Sequence, residues 1–298
     1  MIRTQPAFHR EPSTCNRVAN RDRAVRFLVR FLGPGLLLLP PAALAAAEAS
    51  PAEHPLAQVL ALASRRWEDI PREIRDYTCT LVKREQVDAE AGTPEQMLVK
   101  LRHQQVRDSQ VTVPFAVYIK YSSPPALAGR EVVYVEGHNS GQLIARRGGQ
   151  RVPYITVSTD PRSPLAMKGN RYPLTEIGLH NLIHRIWEVG EEEVKLGGEI
   201  DVKYFPGARV NNRQCTAIQV MHPIRRSHFR YHLAQIFIDD ELQLPIRYAS
   251  YDWPQRPGDT PPLLEEYTYL DLKLNVGLTD QDFDHRNEAY GFLKDFNP

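Results

Sequence analysis

Two runs of alternating apolar and polar residues flank the acidic triplet Asp239-Asp240-Glu241 and predict a β-hairpin. In the runs 229–238 and 244–253, apolar side chains recur at a period of two residues, which is the period of a β-strand. A short acidic turn between such runs is typical of a hairpin, and Pro245 favours a strand start or a sheet edge. Because both runs are apolar on both faces, we expect their strands either to be covered on both sides or to line a dry cavity.

The same reading of the chain predicts two main helices. Apolar residues recur at helical spacing over residues 56–67, directly after Pro55, which suits a first helical turn. Pro71 is expected to interrupt this helix, because proline lacks the N–H that a helix interior uses. A second helix is predicted over residues 175–189, with Thr175 as its N-cap and Gly190 just beyond its end.

Roughly ten strand-like runs account for most of the remaining chain, so the pattern predicts one α+β domain. Besides the opening hairpin, the runs are 77–87, 96–103, 115–121, 131–136, 142–146, 152–158, 200–205, 214–222 and 264–274. Turns rich in Gly, Pro and Asn separate them. The loop 159–173 is long for a compact domain, and we expect it to cover another part of the molecule.

Composition places the chain among ordinary globular proteins. Of the 298 residues 42% are hydrophobic and 24% are charged, which is enough apolar material for a core. The formal net charge of +1 conceals an uneven distribution, because residues 1–47 contain many arginines and few acids. The rest of the chain is therefore mildly acidic, and nothing in its charge indicates a nucleic-acid partner.

The N-terminal residues 1–47 have the pattern of a signal peptide. A basic stretch over 17–30 precedes a short apolar run over 31–39, and Ala45-Ala46-Ala47 offers a small-residue cleavage site. The apolar run is well below the ~18–20 residues that cross a bilayer. A membrane anchor or a buried helix is the alternative. We expect cleavage, export to the periplasm as a domain over 48–298, and no membrane-spanning segment in the exported part.

Two cysteines remain after residue 47, Cys79 and Cys215. Both lie in strand-like runs, and an oxidising compartment would allow one disulfide between them. Two separate buried thiols are the alternative. The expectation from the sequence is a Cys79–Cys215 disulfide.

Three segments give the chain a resemblance to a known superfamily. The N-terminal helix runs into Ile74-Arg75-Asp76-Tyr77, the hairpin 237–247 follows a mid-chain helix, and the chain closes on residues 275–283. This order resembles the periplasmic lipoprotein-carrier (Lol-type) superfamily over about residues 55–284. The resemblance implies a curved, mostly antiparallel sheet, a half-barrel of roughly ten strands, that holds an apolar ligand against two main helices.

Three further segments, 127–137, 165–173 and 251–254, resemble more closely an exported bacterial family of unknown function. That family has no assigned catalytic residues that could be carried over to this chain.

No motif in the chain predicts catalysis, and no metal or other cofactor is expected. Ser140, in a Gly-rich turn, is displaced from the position that a serine-hydrolase elbow requires. His180 and His184 share a helix face opposite the apolar stripe, which favours a solvated face over a zinc site. His228 and His232 would lie ~13 Å apart along a strand, too far to share one ion.

The sequence therefore favours a non-enzymatic periplasmic binding or carrier protein for an apolar ligand, a lipid or an acyl chain. Two alternatives remain open: a structural or sensing envelope module without a ligand, and an envelope hydrolase with dispersed histidines and acids. An envelope protein is a further partner compatible with this interpretation. The loops 159–173 and 253–262 would act as lids.

Five aromatic residues are predicted to line the cavity. They are Tyr118, Tyr134, Phe237, Tyr248 and Tyr269. A shift of one residue in register turns every side chain of a strand to the other face, so one sequence does not fix which of them point inward.

Overall fold

Helices and strands follow one another through residues 54–87, 90–149 and 155–298, the part of the chain that the computed structural model describes. The α-helices of this part are α1 (Ala57–Glu73), α2 (Pro164–Met167) and α3 (Leu179–Leu196). Its strands are β1 (Asp76–Val87), β2 (Glu90–Ala91), β3 (Glu95–Arg102), β4 (Gln105–Arg107), β5 (Gln110–Val113), β6 (Ala116–Ser123), β7 (Glu131–Val135), β8 (Leu143–Arg146), β9 (Thr156–Thr159), β10 (Asp201–Val210), β11 (Arg213–Met221), β12 (Leu233–Asp239), β13 (Pro245–Tyr251) and β14 (Leu263–Leu274). The predicted signal peptide lies outside the described residues.

One large open sheet contains all of these strands except β4 and β5, which form a separate hairpin. Its order is β10-β11-β12-β13-β14-β1-β3-β6-β7-β8-β9, and β2 pairs with β1 beside this path. Every pair in it is antiparallel. The predicted α+β class with an antiparallel sheet is confirmed. The predicted hairpin around residues 239–241 is also present, as β12 and β13.

Two meanders make up this sheet, and the pair β1–β14 joins them. The first runs from β1 to β9 and the second from β10 to β14, with α3 as the connection between their outer strands. The last strand therefore returns to the first, where Tyr77 pairs with Leu274. β9 and β10 form the two edges of the sheet.

Helices α1 and α3 pack on one face of the sheet, which we call the inner face. The C-terminal half of α1 buries Ile70 in the main core with Tyr77 and Leu101 of the sheet. Its N-terminal end buries Val59 in a second core with Ile236 and neighbouring residues. The helix thus spans both meanders, because its apolar stripe is long enough to contact each of them.

Pro71 does not interrupt α1, which continues to Glu73. A proline inside a helix leaves the carbonyl four residues earlier without its N–H donor. That carbonyl belongs to Trp67, and His180 Nε2 of α3 lies 3.1 Å from it. Since a carbonyl only accepts, the imidazole donates, and α3 satisfies the group that Pro71 leaves unpaired.

Helix α3 begins and ends later than predicted. Thr175 is part of a short 3-10 turn, Leu174–Glu176, and the Asn181 side chain donates to its carbonyl at 3.3 Å. Gly190 lies inside the helix rather than beyond it. A Cβ at Gly190 would lie 2.5 Å from Leu60 Cδ2, so the glycine allows α1 and α3 to approach each other closely.

The prediction was a solvated face of α3 for His180 and His184, but this face is only partly exposed because it packs against α1. Both side chains are half-buried and pack against Trp67, with ring centroids 6.0 and 4.9 Å apart. His103, at the end of β3, lies 5.7 Å from His180 and is only 5% exposed, and its Nε2 has no hydrogen-bond partner. Burial, together with His180, lowers the pKa of His103 to about 4.

We expect acidification to destabilise the protein through His103. In the unfolded chain His103 binds a proton below the ordinary histidine pKa of ~6.5, whereas in the folded chain it does so only below about pH 4. The free energy of unfolding should therefore fall by about 2 kcal/mol between pH 7 and pH 5 through this residue alone. Urea titrations at both pH values measure this fall in the free energy of unfolding, for the native protein and for His103→Leu. Equal losses in the two proteins would contradict the assignment.

The C-terminal segment covers the opposite face of the sheet, the outer face, at β6, β7 and β8. Phe283 and Phe292 form a small core there with Tyr118 and its neighbours, and the Tyr290 ring stacks on Tyr118 at 3.9 Å. The backbone N–H of Gly291 donates to a buried Glu131 carboxylate at 2.6 Å. Tyr118 is thus a core residue of the outer face.

The predicted Cys79–Cys215 disulfide is wrong, because both cysteines are buried free thiols. Cys79 lies on β1 and Cys215 on β11, four strands apart in the sheet. At ~4.8 Å per strand that separation is ~19 Å along the sheet, whereas a disulfide needs Cα atoms within ~7 Å. Burial raises the pKa of the Cys79 thiol to about 12.

Candidate functional site

A cavity of about 760 Å³ lies between the inner face of the sheet and the segment 161–185, which includes α2 and the start of α3. Both meanders contribute to its wall, from β13 and β14 through β1 and β3 to β9. These strands would extend ~34 Å side by side in a flat sheet, at ~4.8 Å for each of seven steps. Since all of them face one cavity, the sheet must be curved, as a half-barrel is.

Aliphatic side chains from neighbouring strands form the floor of this cavity. Ile119 of β6 pairs with Val132 of β7, Val132 pairs with Ala145 of β8, and Ala145 pairs with Val157 of β9. Directly opposed residues of antiparallel strands point to the same face, so the four side chains form a continuous stripe. On the rim, Ile155 and Leu165 are 38% and 61% exposed. The four floor residues and these two rim residues therefore offer apolar surface to a ligand.

A buried cluster of charged and phenolic side chains occupies the wall at β1 and β14. Lys83 Nζ lies 3.3 Å from both Glu85 and Glu95, and Tyr267 donates to Glu85 at 2.5 Å. Glu265 accepts from Tyr267 at 3.3 Å. Members of the cluster on the same strand are two positions apart, because residues i and i+2 of a strand point to the same face. We call these five residues, Lys83, Glu85, Glu95, Glu265 and Tyr267, the polar wall.

The charges of the polar wall are set by burial and by one another. Burial alone would lower the pKa of Lys83, but Glu85 and the other nearby acidic groups raise it above its usual value. Burial raises the pKa of Glu265 and opposes its ionisation, while Arg171 acts in the other direction. The cluster is a compact ion-pair network at the border of an apolar cavity.

The polar wall also holds the segment that covers the cavity. Lys83 Nζ donates to Asn170 Oδ1 at 2.5 Å, and the backbone N–H of Arg171 donates to Glu85 at 3.0 Å. The Arg171 guanidinium donates to the Gln86 carbonyl at 3.3 Å and pairs with Glu265 at 3.4 Å. The loop 159–173 thus covers the cavity, as expected. The second loop, 253–262, contributes no residue to the described lining.

Of the five predicted lining residues, Tyr248 and Tyr269 lie in the cavity wall. Tyr134 is on the inner face but packs in the main core instead. Tyr118 and Phe237 are on the outer face, the latter beneath Arg247 at 4.9 Å. Register explains the difference, because Phe237 pairs with Arg247 whereas Ile236 pairs with Tyr248.

Sequence reasoning did not identify the polar wall. The signal was present as ionisable or phenolic residues at i and i+2 within apolar strands: Leu81-Lys83-Glu85 on β1 and Glu265-Tyr267-Tyr269 on β14. Alternating charges of this kind usually indicate a solvated strand face. Only the pairing of β14 with β1 brings the two sets together, with Lys83 opposite Tyr267 and Glu85 opposite Glu265.

The described lining contains no histidine, cysteine or serine. Within the described residues no three His, Cys, Asp or Glu side chains are grouped as metal ligands.

Asp239, in the acidic turn, is paired with Arg213. Burial would raise the pKa of Asp239, but Arg213 and two backbone N–H groups lower it. None of the helices in the described part has the length and apolar character to span a membrane.

Fold and cavity together define the class: an α+β protein with one open antiparallel sheet curved around an internal, mainly apolar cavity. The chain belongs to DUF1571, a family of proteins of unknown function, whose family model matches residues 74–292. This confirms the predicted membership in a family of unknown function. No curated protein matches the sequence.

Several solved structures are similar to this chain. A DUF1329 family protein from Desulfovibrio piger is 12% identical, with 78% of this chain and 98% of that chain covered at a TM-score of 0.37. An outer membrane lipoprotein-sorting protein domain from Vibrio parahaemolyticus is 10% identical, with 76% of this chain and 96% of that chain covered at a TM-score of 0.35. A LolA superfamily protein from Nitrosomonas europaea is 10% identical, with 75% of this chain and 96% of that chain covered at a TM-score of 0.30.

Proposed function

We propose that this protein is a non-enzymatic binding or carrier protein for a lipid or an acyl chain, and that it acts in the cell envelope after export. The cavity is the observation that carries the proposal. Its volume of about 760 Å³ is within the range of ~300–1,000 Å³ that is usual for small-molecule sites. The basic and apolar segments of residues 1–47 support export.

The floor of the cavity suits a hydrocarbon chain. Burial of each CH₂ group contributes ~0.8 kcal/mol, so about ten buried groups would supply the ~8 kcal/mol that corresponds to micromolar affinity. In the proposed complex the chain lies along Ile119, Val132, Ala145 and Val157, and the rings of Tyr248 and Tyr269 contact it. No nucleophile or general base is required for this function.

A cavity-filling substitution tests the proposal. The small side chain of Ala145 lies in the middle of the floor, so the indole of Ala145→Trp would occupy the space of the chain. We expect delipidated native protein to bind a fluorescent fatty-acyl probe saturably, and Ala145→Trp to bind it at least thirtyfold more weakly. Fluorescence titration gives both values.

Ala289→Trp is the matched control, because Ala289 is exposed in the C-terminal segment and is not part of the described lining. It should bind like the native protein. Absence of saturable binding to native protein, together with an empty lipid extract of protein purified from its own envelope, would refute the carrier function and leave a structural module.

A further inference from the structure

Every carboxylate in the described lining of the cavity has a basic partner. Glu85 and Glu95 pair with Lys83, and Glu265 pairs with Arg171. Glu176 pairs with Arg162 at 3.1 Å and Arg185 at 2.6 Å. Each of these carboxylates therefore has a basic neighbour within the protein, although Glu85 and Glu95 share Lys83.

Some of the basic lining residues have no such partner. Arg130, Arg147 and Lys168 line the cavity, and none has a carboxylate within salt-bridge distance among the described residues. The described lining contains six basic side chains and four carboxylates, so the net charge that faces the cavity is positive. A ligand of matching chemistry carries negative charge.

Arg130 is placed to act as the central contact. Its guanidinium lies 5.4 Å from the centre of the Tyr121 ring, which is itself part of the lining, and its side chain is half-buried. The backbone of Gly148 lies against that of Arg130, since a Cβ at Gly148 would lie 2.4 Å from the Arg130 backbone nitrogen, and Arg147 is its neighbour in the chain. A half-buried guanidinium has lost part of its hydration, and an oxyanion can replace that water with two parallel hydrogen bonds.

We infer that the ligand is an amphiphile with a single anionic head, a carboxylate or a phosphate, which Arg130 binds with the help of Arg147 and Lys168. Its hydrocarbon chain then lies on the apolar floor. This inference rests on the proposed function and specifies the ligand class for the same cavity. A cationic head would meet uncompensated positive charge at the same position, and a neutral head would leave Arg130 unpaired.

Four ligands with one chain length and different heads test the inference. Tetradecanoate, tetradecyl phosphate, tetradecanol and tetradecyltrimethylammonium are used below their micelle concentrations to displace a neutral pyrene-labelled fatty alcohol. We expect both anions to displace the probe at about tenfold lower concentration than tetradecanol, and the cation to be weakest. The relative strength of the two anions identifies the preferred head.

Arg130→Gln should remove the advantage of the anions and leave tetradecanol unchanged. Arg209→Gln, at an exposed arginine of the edge strand β10, should retain the native order. Raising the salt concentration should weaken only the anions, because added ions screen charge interactions, and this measurement needs no variant.

The outcomes separate the two proposals. If tetradecanol or the cation binds best, or if Arg130→Gln weakens all four ligands equally, the anionic-head assignment is overturned while chain binding stands. If the neutral probe does not bind native protein at all, the carrier function itself fails, and the assignment fails with it.

Discussion

Replacing Lys83 by Met is expected to lower the free energy of unfolding by about 3–5 kcal/mol. Lys83 is 9% exposed and is the cation that lies between Glu85 and Glu95 in the polar wall. Without it, two carboxylates remain in a poorly hydrated wall without a counter-ion. The Asn170 side chain also loses its 2.5 Å hydrogen bond, so the covering segment is held to β1 by Arg171 alone.

Chemical denaturation at pH 7 measures this loss. Lys203→Met is the matched control, since Lys203 is exposed on the edge strand β10 and its replacement should change stability by no more than about 0.5 kcal/mol. A loss below about 1 kcal/mol for Lys83→Met would mean that the ion pairs of the polar wall do not stabilise the fold.

A loss of about 1–3 kcal/mol is expected for Glu193→Ala, because the substitution leaves a buried polar group without its partner. Glu193 of α3 is 2% exposed, and its Oε2 lies 3.4 Å from Nε2 of the fully buried His222. His222 Nδ1 lies 2.9 Å from the Tyr231 carbonyl and must donate to it, because a carbonyl has no proton. The Tyr231 hydroxyl donates to Glu193 at 3.2 Å, so the substitution leaves this buried hydroxyl without its acceptor.

The adjacent residue supplies the comparison. Glu192 points to solvent and pairs with the exposed Arg230, so Glu192→Ala should cost at most about 1 kcal/mol. Both variants replace a helical glutamate by alanine, so the change in helix propensity is the same. The difference in stability between them therefore measures the effect of burial. Equal stability of the two variants in guanidinium chloride titrations would show that the buried contact of Glu193 with Tyr231 and His222 contributes nothing.

The elements of the fold could be predicted from the sequence because each depends on a local period. Alternation over 229–238 and 244–253 corresponds to β12 and β13, and the stripe over 56–67 corresponds to α1. The helix ends were harder to predict. A glycine after an apolar stripe usually marks the end of a helix, but Gly190 lies inside α3 and leaves room for the Leu60 side chain. That contact between two helices leaves no trace in the local pattern.

Strand order and register were out of reach for the same reason. Nothing near Cys79 or Cys215 shows that four strand spacings separate them, and the disulfide prediction failed on this point. Phe237 and Tyr248 have the same apolar character, yet the pairing places them on opposite faces. The cavity was predictable as a consequence of strands that are apolar on both faces, whereas the residues of its polar wall were not.

The pairing of β14 with β1 has a consequence for how the protein is made. The two strands are joined through contacts about 200 residues apart in the chain, such as that between Arg75 and Asn275. While the polypeptide is being synthesised from its N-terminus, β1 and β13 each have an unpaired backbone edge until β14 emerges. Unpaired strand edges readily join those of other molecules, so this interval is when the nascent chain is most prone to aggregate and to need a chaperone.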